Sequence, residues 1–423
     1  MGDLNPIDYH AINLALHLVA ILLLYDILRR LIGDRAALIG AAIFAVHPIQ
    51  AEAVNYVFER ATELDTLLCL AALASWLRGR YWLAVVWFAS ALAAKQECVA
   101  FPVFLAMLAF SLKRRITPWL PIAAMLLLSI ASGVAVFIAA QRTPGSQAAS
   151  QAGISPLTYF VTQGAVILRY LRLLIVPFGF NVDPEIHVPP AWLGVCAWLA
   201  IIAMAAIAAR WFFNARAGFW FIAGLVLLLP SSSIFPATDL AVDRRMYLPM
   251  IAFAACAGLL LERTRPALVA ALVIVFIGFS IQRTLVWRTE QSLWSDAARK
   301  SPDKVRPKIQ LARASDPQHA LALLDDAKKL APTNAVIFTD EGRVYLSIGQ
   351  PARALSDFGR ALALEPRSAD ALNNRGAALF ALGQAKAARQ DFERALKIDP
   401  CQQQARENLA RMGVPVATPV NCE

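Results

Sequence analysis

The chain has 423 residues, of which 58% are hydrophobic and 17% charged, with a mean hydropathy of +0.53. Charge so far below the roughly 25% of soluble domains excludes an ordinary soluble protein and points to a polytopic membrane protein. The formal net charge of +10 does not indicate nucleic acid. Residues 1–300 carry 23 Lys and Arg against 16 Asp and Glu, largely in short loops between apolar runs, a pattern that orients helices in a bilayer rather than building a DNA-binding face.

In chain order, Met1–Tyr9 is polar and lacks a basic start, so no cleavable signal peptide is expected. Spans are predicted near 10–28, 36–47, 64–79, 81–95, 98–112, 117–140, 191–212, 217–230, 247–262 and 266–282. Basic residues at 29–30, 78–80, 113–115, 210–216 and 263–265 recur at every second boundary, as one cytoplasmic face requires. This places "HPIQAEAVNYVFERATELD" (His47–Asp65), Lys95–Glu97, the 141–190 loop, "PSSSIFPATDLAVDRRMYLP" and everything after Trp287 on the opposite side. Residues 155–177 are apolar but carry Arg169 and Arg172, and they read as interfacial or re-entrant rather than spanning.

The polar outer loops hold the candidate functional residues, because ionisable groups at membrane depth are costly. His10, Asn13 and His17 share one helical face and either line a cavity or bond neighbouring helices. His47 before Pro48 reads first as a turn at a helix end. Glu52 and Glu59 stand seven apart on one face of an interfacial helix, Glu59 reading as a solvated carboxylate and Glu52 less so. Arg60 and Asp65 could pair or reach a common anion. Lys95 and the pair Arg244–Arg245 lie on the outer side against the positive-inside rule, which calls for an anionic partner: Glu97 or a lipid phosphate for Lys95, a phosphate or carboxylate for the arginines. There is no zinc-spaced Cys/His cluster, no HExxH and no Gly-rich phosphate loop. The residues alone describe a basic, carboxylate-bearing cavity suited to a phosphate-bearing lipid.

The tail is periodic. Gly342, Ala354, Phe358, Ala361 and Pro366 recur 34 residues later as Gly376, Ala388, Phe392, Ala395 and Pro400, the tetratricopeptide signature. Ala320, Leu324, Ala327 and Pro332 form a weaker third copy, and "CQQQARENLARMG" reads as a cap helix. Such repeats bind partners in a concave groove; Asn373, Asn374 and Arg375 are the candidate peptide contacts, against the alternative of a merely solvated face. Cys401 and Cys422 could bridge if the tail is extracytoplasmic.

The predicted architecture is all-α: a helical membrane bundle of about 10–11 spans over residues 1–286, a linker at 287–300, a repeat solenoid with cap helix at 301–413 and a flexible tail at 414–423. The order of "LNPIDYHAINLALH", "HPIQAEAVNYVFERATELD", "ALAAKQE", "YLRLLIVPFGFNVDPEI", "FPATDLAVDRRMYLP" and "LWSDAARKSPD" resembles the transmembrane and tetratricopeptide-repeat O-mannosyltransferases and their bacterial relatives, within the GT-C membrane glycosyltransferases. The resemblance runs from residue 4 to the last repeat. It implies transfer of a sugar, mannose by family default, from a polyprenyl-phosphate donor to a protein Ser or Thr hydroxyl. The reaction would take place on the periplasmic face of a bacterial inner membrane, with the repeats recruiting the acceptor. By the same resemblance Arg60 and Lys95 would grip the lipid phosphate, Asp65 matches the family's "R…D" element, and Arg244 and Arg245 would assist. A divalent metal is a family possibility. The family's first span and its acidic first-loop motif have no match here, so no catalytic base is assigned. The alternative from another class is a non-catalytic membrane-anchored repeat scaffold. A transporter is disfavoured, because no pair of interrupted helices occupies matching halves.

Overall fold

A computed structural model describes residues 6–112, 118–142, 154–212, 217–232 and 239–414. The chain divides into two compact units, Met1–Arg288 and Thr289–Glu423. Both are built from helices, and no strand occurs among the described residues.

The first unit comprises α1 (Pro6–Ile32), α2 (Asp34–Val46), α3 (Ala51–Asn55), α4 (Arg60–Leu77), α5 (Tyr81–Ala94), α6 (Phe101–Ser111), α7 (Trp119–Arg142), α8 (Pro156–Ile175), α9 (Ala191–Ile207), α10 (Ala217–Leu228), α11 (Tyr247–Leu261) and α12 (Pro266–Val286). Helices thus occupy all ten predicted span positions. Among the described residues five are long and apolar enough to cross a bilayer alone, around 8–32, 119–139, 191–210, 243–261 and 266–286. Pro48–Asn55 is bent 46° from α2, and the two together form a sixth candidate or a re-entrant loop. This is the build of a multi-pass membrane protein, and side chains such as Leu22, Phe110, Leu120 and Ile274 are exposed on its helices. The 155–177 segment is a helix, α8, capped by the Ser155 hydroxyl, and it is not among the five.

With no hydrophobic drive between helices in lipid, close backbone packing has to supply cohesion. The α2–α11 contact shows it: Ala36 and Gly40 face Ala254 and Gly258. A Cβ on Gly258 would run into the Ala36 carbonyl oxygen, and one on Gly40 would lie 2.8 Å from the Ala254 carbonyl oxygen. At one end of the bundle Asp26 gathers Arg29, Arg30 and Arg78. Short helical turns at 48–50, 57–59, 96–100, 229–232 and 243–246 join the helices elsewhere, and those at 48–50 and 243–246, like those at 96–100 and 229–232, pack together.

The second unit stacks α13 (Glu290–Lys300), α14 (Val305–Arg313), α15 (Pro317–Leu330), α16 (Ala335–Ser347), α17 (Pro351–Leu364), α18 (Ala369–Ala381), α19 (Ala385–Ile398) and α20 (Gln403–Arg411). Residues 290–300, read from the sequence as linker, form a helix with a Thr289–Ser292 capping box, because that pair satisfies the first free amides. The 34-residue register is visible in the packing. A Cβ on Gly342 would lie 2.6 Å from the Phe358 ring and one on Gly376 2.7 Å from the Phe392 ring. Ala354, Ala361, Ala388 and Ala395 are wholly buried, and Ala320, Leu324 and Ala327 repeat the arrangement in α15. The predicted cap helix is α20, docked through Ala405 and Leu409. The predicted flexible tail beyond Val414, and with it Cys422 of the Cys401–Cys422 pair, lies outside the described residues.

Candidate functional site

The polar segments predicted from charge to share one side of the bilayer converge in the first unit. The His47–Pro48 step turns the chain out of α2: the imidazole accepts from the Ile49 amide (3.2 Å), meets the Leu174 carbonyl (3.2 Å) and packs edge-on against Phe276. Both nitrogens of His47 thus meet partners within the chain. The turn sends Glu52 inward, where it is 2% exposed. Glu52 is held at both oxygens, by the Arg244 guanidinium (2.8 Å) and by the Asp243 amide (3.0 Å).

Arg244 also reaches Glu59 through Nε (2.8 Å), with Asp239 farther off at 3.8 Å. Glu59 in turn takes the Lys95 ammonium (2.8 Å) and the Thr62 hydroxyl (2.8 Å). Lys95 adds Glu97 at 3.4 Å and donates to the Thr62 hydroxyl at 2.6 Å. Asp243 pairs with Arg169 of α8 at 2.7 Å. The result is one alternating line of charge, Lys95–Glu59–Arg244–Glu52, with Arg169–Asp243 joined to it through the Asp243 backbone. It is drawn from three interhelical segments and one amphipathic helix.

The predicted anionic partners of Lys95 and Arg244 are thus carboxylates of the same chain. Glu59, read as solvated, is instead the bridge between the two cations, with only 14% of its side chain exposed. Glu52 and Glu59 do meet at one partner, but not along one helix, because the chain breaks between Asn55 and Val57. Burial pushes the Glu59 carboxyl up, but Lys95 and Arg244 outweigh it and hold the group below the ordinary glutamate value.

Arg245 does not join the line. Its guanidinium donates to the carbonyls of Leu240 (3.2 Å) and Asp239 (2.8 Å), bracing the loop beside Tyr170, whose hydroxyl bonds both amide and carbonyl of Val242. Arg60 and Asp65 are not paired with each other. Arg60 donates to Asn13 (3.3 Å) and lies over the Tyr9 ring, while Asp65 bonds Thr66 and is 1% exposed. Among the described residues Arg60 makes no ion pair, although it follows Glu59 directly in the chain. Asn13 and His17 bond neighbouring segments, Val54 and Tyr56 carbonyls for one, Tyr247 and Ala45 for the other, whereas His10 is exposed.

Arg169, Asp243 and the bridging role of Glu59 were not foreseen. The two arginines of an otherwise apolar α8 were the available signal for the first. Among the described residues no three His, Cys, Asp or Glu are placed together to hold a metal ion.

In the repeat unit, Arg313, Thr339, Asp340, Arg343, Asp370 and Asn374 line a polar cavity of about 370 Å³. Of the three candidate peptide contacts, Asn374 lines it. Arg375 is held by Asp391 through two hydrogen bonds of 2.7 and 2.8 Å, and buried Asn373 accepts from Asn408 of the cap helix, so both serve the stack itself.

The tetratricopeptide repeat family matches residues 339–401. The chain is similar to the mouse protein O-mannosyl-transferase TMTC3, 35% identical over 80 residues, which are 19% of this chain and 9% of that protein. It is also similar to a protein O-mannosyl-transferase of Caenorhabditis elegans, 23% identical over 336 residues, covering 72% of this chain and 47% of the relative. The chain therefore spans less than half the length of these relatives. Among solved structures it is similar to the first repeat domain of Spaghetti bound to an HSP90 peptide, with 26% identity, a TM-score of 0.25, and coverage of 27% of this chain and 92% of that one.

Proposed function

We propose that this chain works in a membrane glycosyltransferase of the transmembrane and tetratricopeptide-repeat O-mannosyltransferase family. It would move a sugar, mannose by family default, from a polyprenyl-phosphate carrier to a hydroxyl of an acceptor protein on the extracytoplasmic face of a bacterial inner membrane. The observation that supports this reading is the meeting of Lys95, Arg244 and Arg169, with Arg60 alongside, in segments whose flanking charge favours a common side of the bilayer. In the transfer the bond from the sugar anomeric carbon to the phosphate oxygen breaks and a bond to the acceptor oxygen forms. The hydroxyl proton passes to water, and the departing phosphate keeps the electron pair. Negative charge grows on the phosphate, so cations fixed beside it stabilise the transition state more than the bound donor. Arg60 and Lys95 contact the phosphate and Arg244 supports them. Arg245 and His47 shape the loops, and Asp65 lies behind the site.

Disrupting the gene in its native host and restoring it as wild type, Lys95→Ala or Arg244→Lys tests the reading by mass spectrometry of exported proteins. Hexose on Ser and Thr should vanish on disruption and return only with the wild type, whereas return with both variants would refute it. The polar cavity of the repeat unit supports a second reading, a membrane-anchored scaffold. That reading predicts that Asn374 and its neighbours matter while the cations do not.

A further inference from the structure

The donors around Glu59 form a particular set: an ammonium from Lys95, a guanidinium edge from Arg244 and a hydroxyl from Thr62, with Lys95 and Arg244 each at 2.8 Å from the carboxylate. A lysine, an arginine and a hydroxyl converging on one oxyanion is the equipment of a phosphate site, here filled by a side chain. The two glutamates on Arg244 are not equivalent. Glu52 is 2% exposed and pinned at its second oxygen by the Asp243 amide. Glu59 is 14% exposed and ends a single short turn at 57–59. Glu59 can also leave without stranding its partners, because Lys95 keeps Glu97 and Arg244 keeps Glu52.

We infer that Glu59 is an exchangeable placeholder for the lipid phosphate: its carboxylate holds Lys95 and Arg244 in position, and an isoprenyl phosphate displaces it. The inference rests on the function proposed above and adds a role for a residue that would otherwise be a plain ion-pair partner. The exchange swaps one anion for another, so the cluster never holds bare cations. The departing carboxylate regains water, which keeps its loss cheap. The same competition limits how tightly the phosphate is held, because every bound phosphate must replace an intact ion pair.

The test measures binding of farnesyl phosphate to the full chain in detergent, with farnesol as the phosphate-free control. Wild type is compared with Glu59→Gln, Glu59→Ala, Lys95→Ala and Arg244→Lys. Removing the competitor is expected to tighten farnesyl phosphate binding about tenfold in both Glu59 variants, the fold-change that corresponds to about 1.4 kcal/mol. Farnesol binding should not change, and the Lys95 and Arg244 variants should weaken the phosphate. If the Glu59 variants bind as the wild type does, or more weakly, while the cation variants lose affinity, the placeholder role is overturned and the phosphate grip stands. If farnesyl phosphate binds no better than farnesol in every protein, the grip is refuted and the placeholder falls with it.

Discussion

Glu59 shows how many constraints can meet on a single carboxylate. It sits in a depression that disfavours its charge, and two cations reverse the sign of that effect, so its pKa lies below the usual value. A group depressed in the folded state contributes stability that is present above its unfolded pKa of about 4.3 and is lost as pH falls through its folded pKa. Thermal unfolding of wild type and Glu59→Gln across pH should therefore differ by about 1 kcal/mol near neutrality, the upper range for such a partly exposed pair. The two curves should converge in acid, as the pH falls through that depressed pKa. Equal separation of the curves at every pH would mean that the carboxylate's charge is not what matters. The sequence predicted anionic partners for Lys95 and Arg244 because both break the charge rule for their side. It did not identify the partners, since Glu59 lies 36 residues from Lys95 and 185 from Arg244, and only the folded loops bring them together. Arg60 and Asp65 were grouped by their five-residue spacing, but that spacing sends two side chains of one helix in different directions, and only a separation of three or four would have joined them.

At the scale of elements, the repeat helices were the most legible part of the chain. A period of 34 that returns glycine to glycine and phenylalanine to phenylalanine leaves one packing solution, and α16–α17 and α18–α19 adopt it. Gly376→Ala should destabilise that pair by about 1–3 kcal/mol, because the added methyl must displace a wholly enclosed Phe392 ring. Hydrogen exchange on the full chain would register this as faster exchange in α18 and α19, with α1–α12 unaffected. Unchanged exchange in α18 and α19 would show that the ring moves freely. The groove contacts were less legible, since adjacent residues of one helix point in different directions. Asn374 reaches the cavity, while Arg375 turns back to Asp391 in the following helix. The apolar helices were found at every expected place because hydropathy dominates their pattern. Their interhelical turns, broken into pieces of three to five residues, carry no period a sequence can reveal.

The whole molecule joins a membrane unit whose polar segments concentrate charge to a repeat unit with a polar cavity. In the proposed function the first handles the lipid-borne sugar and the second selects the acceptor. The scaffold alternative retains the second half alone, so the two readings part on whether the membrane cations matter. The most direct measurement is transfer of radiolabelled mannose from polyprenyl-phosphate mannose to endogenous proteins in membranes of the native host, with the gene disrupted and then restored in full. The account predicts transfer with the wild type, less than a tenth of it with Lys95→Ala or Arg244→Lys, the loss of one transition-state contact worth at least about 1.4 kcal/mol, and an intermediate level with Asn374→Ala. Transfer that is undiminished in the disrupted strain, or in both cation variants, would contradict it.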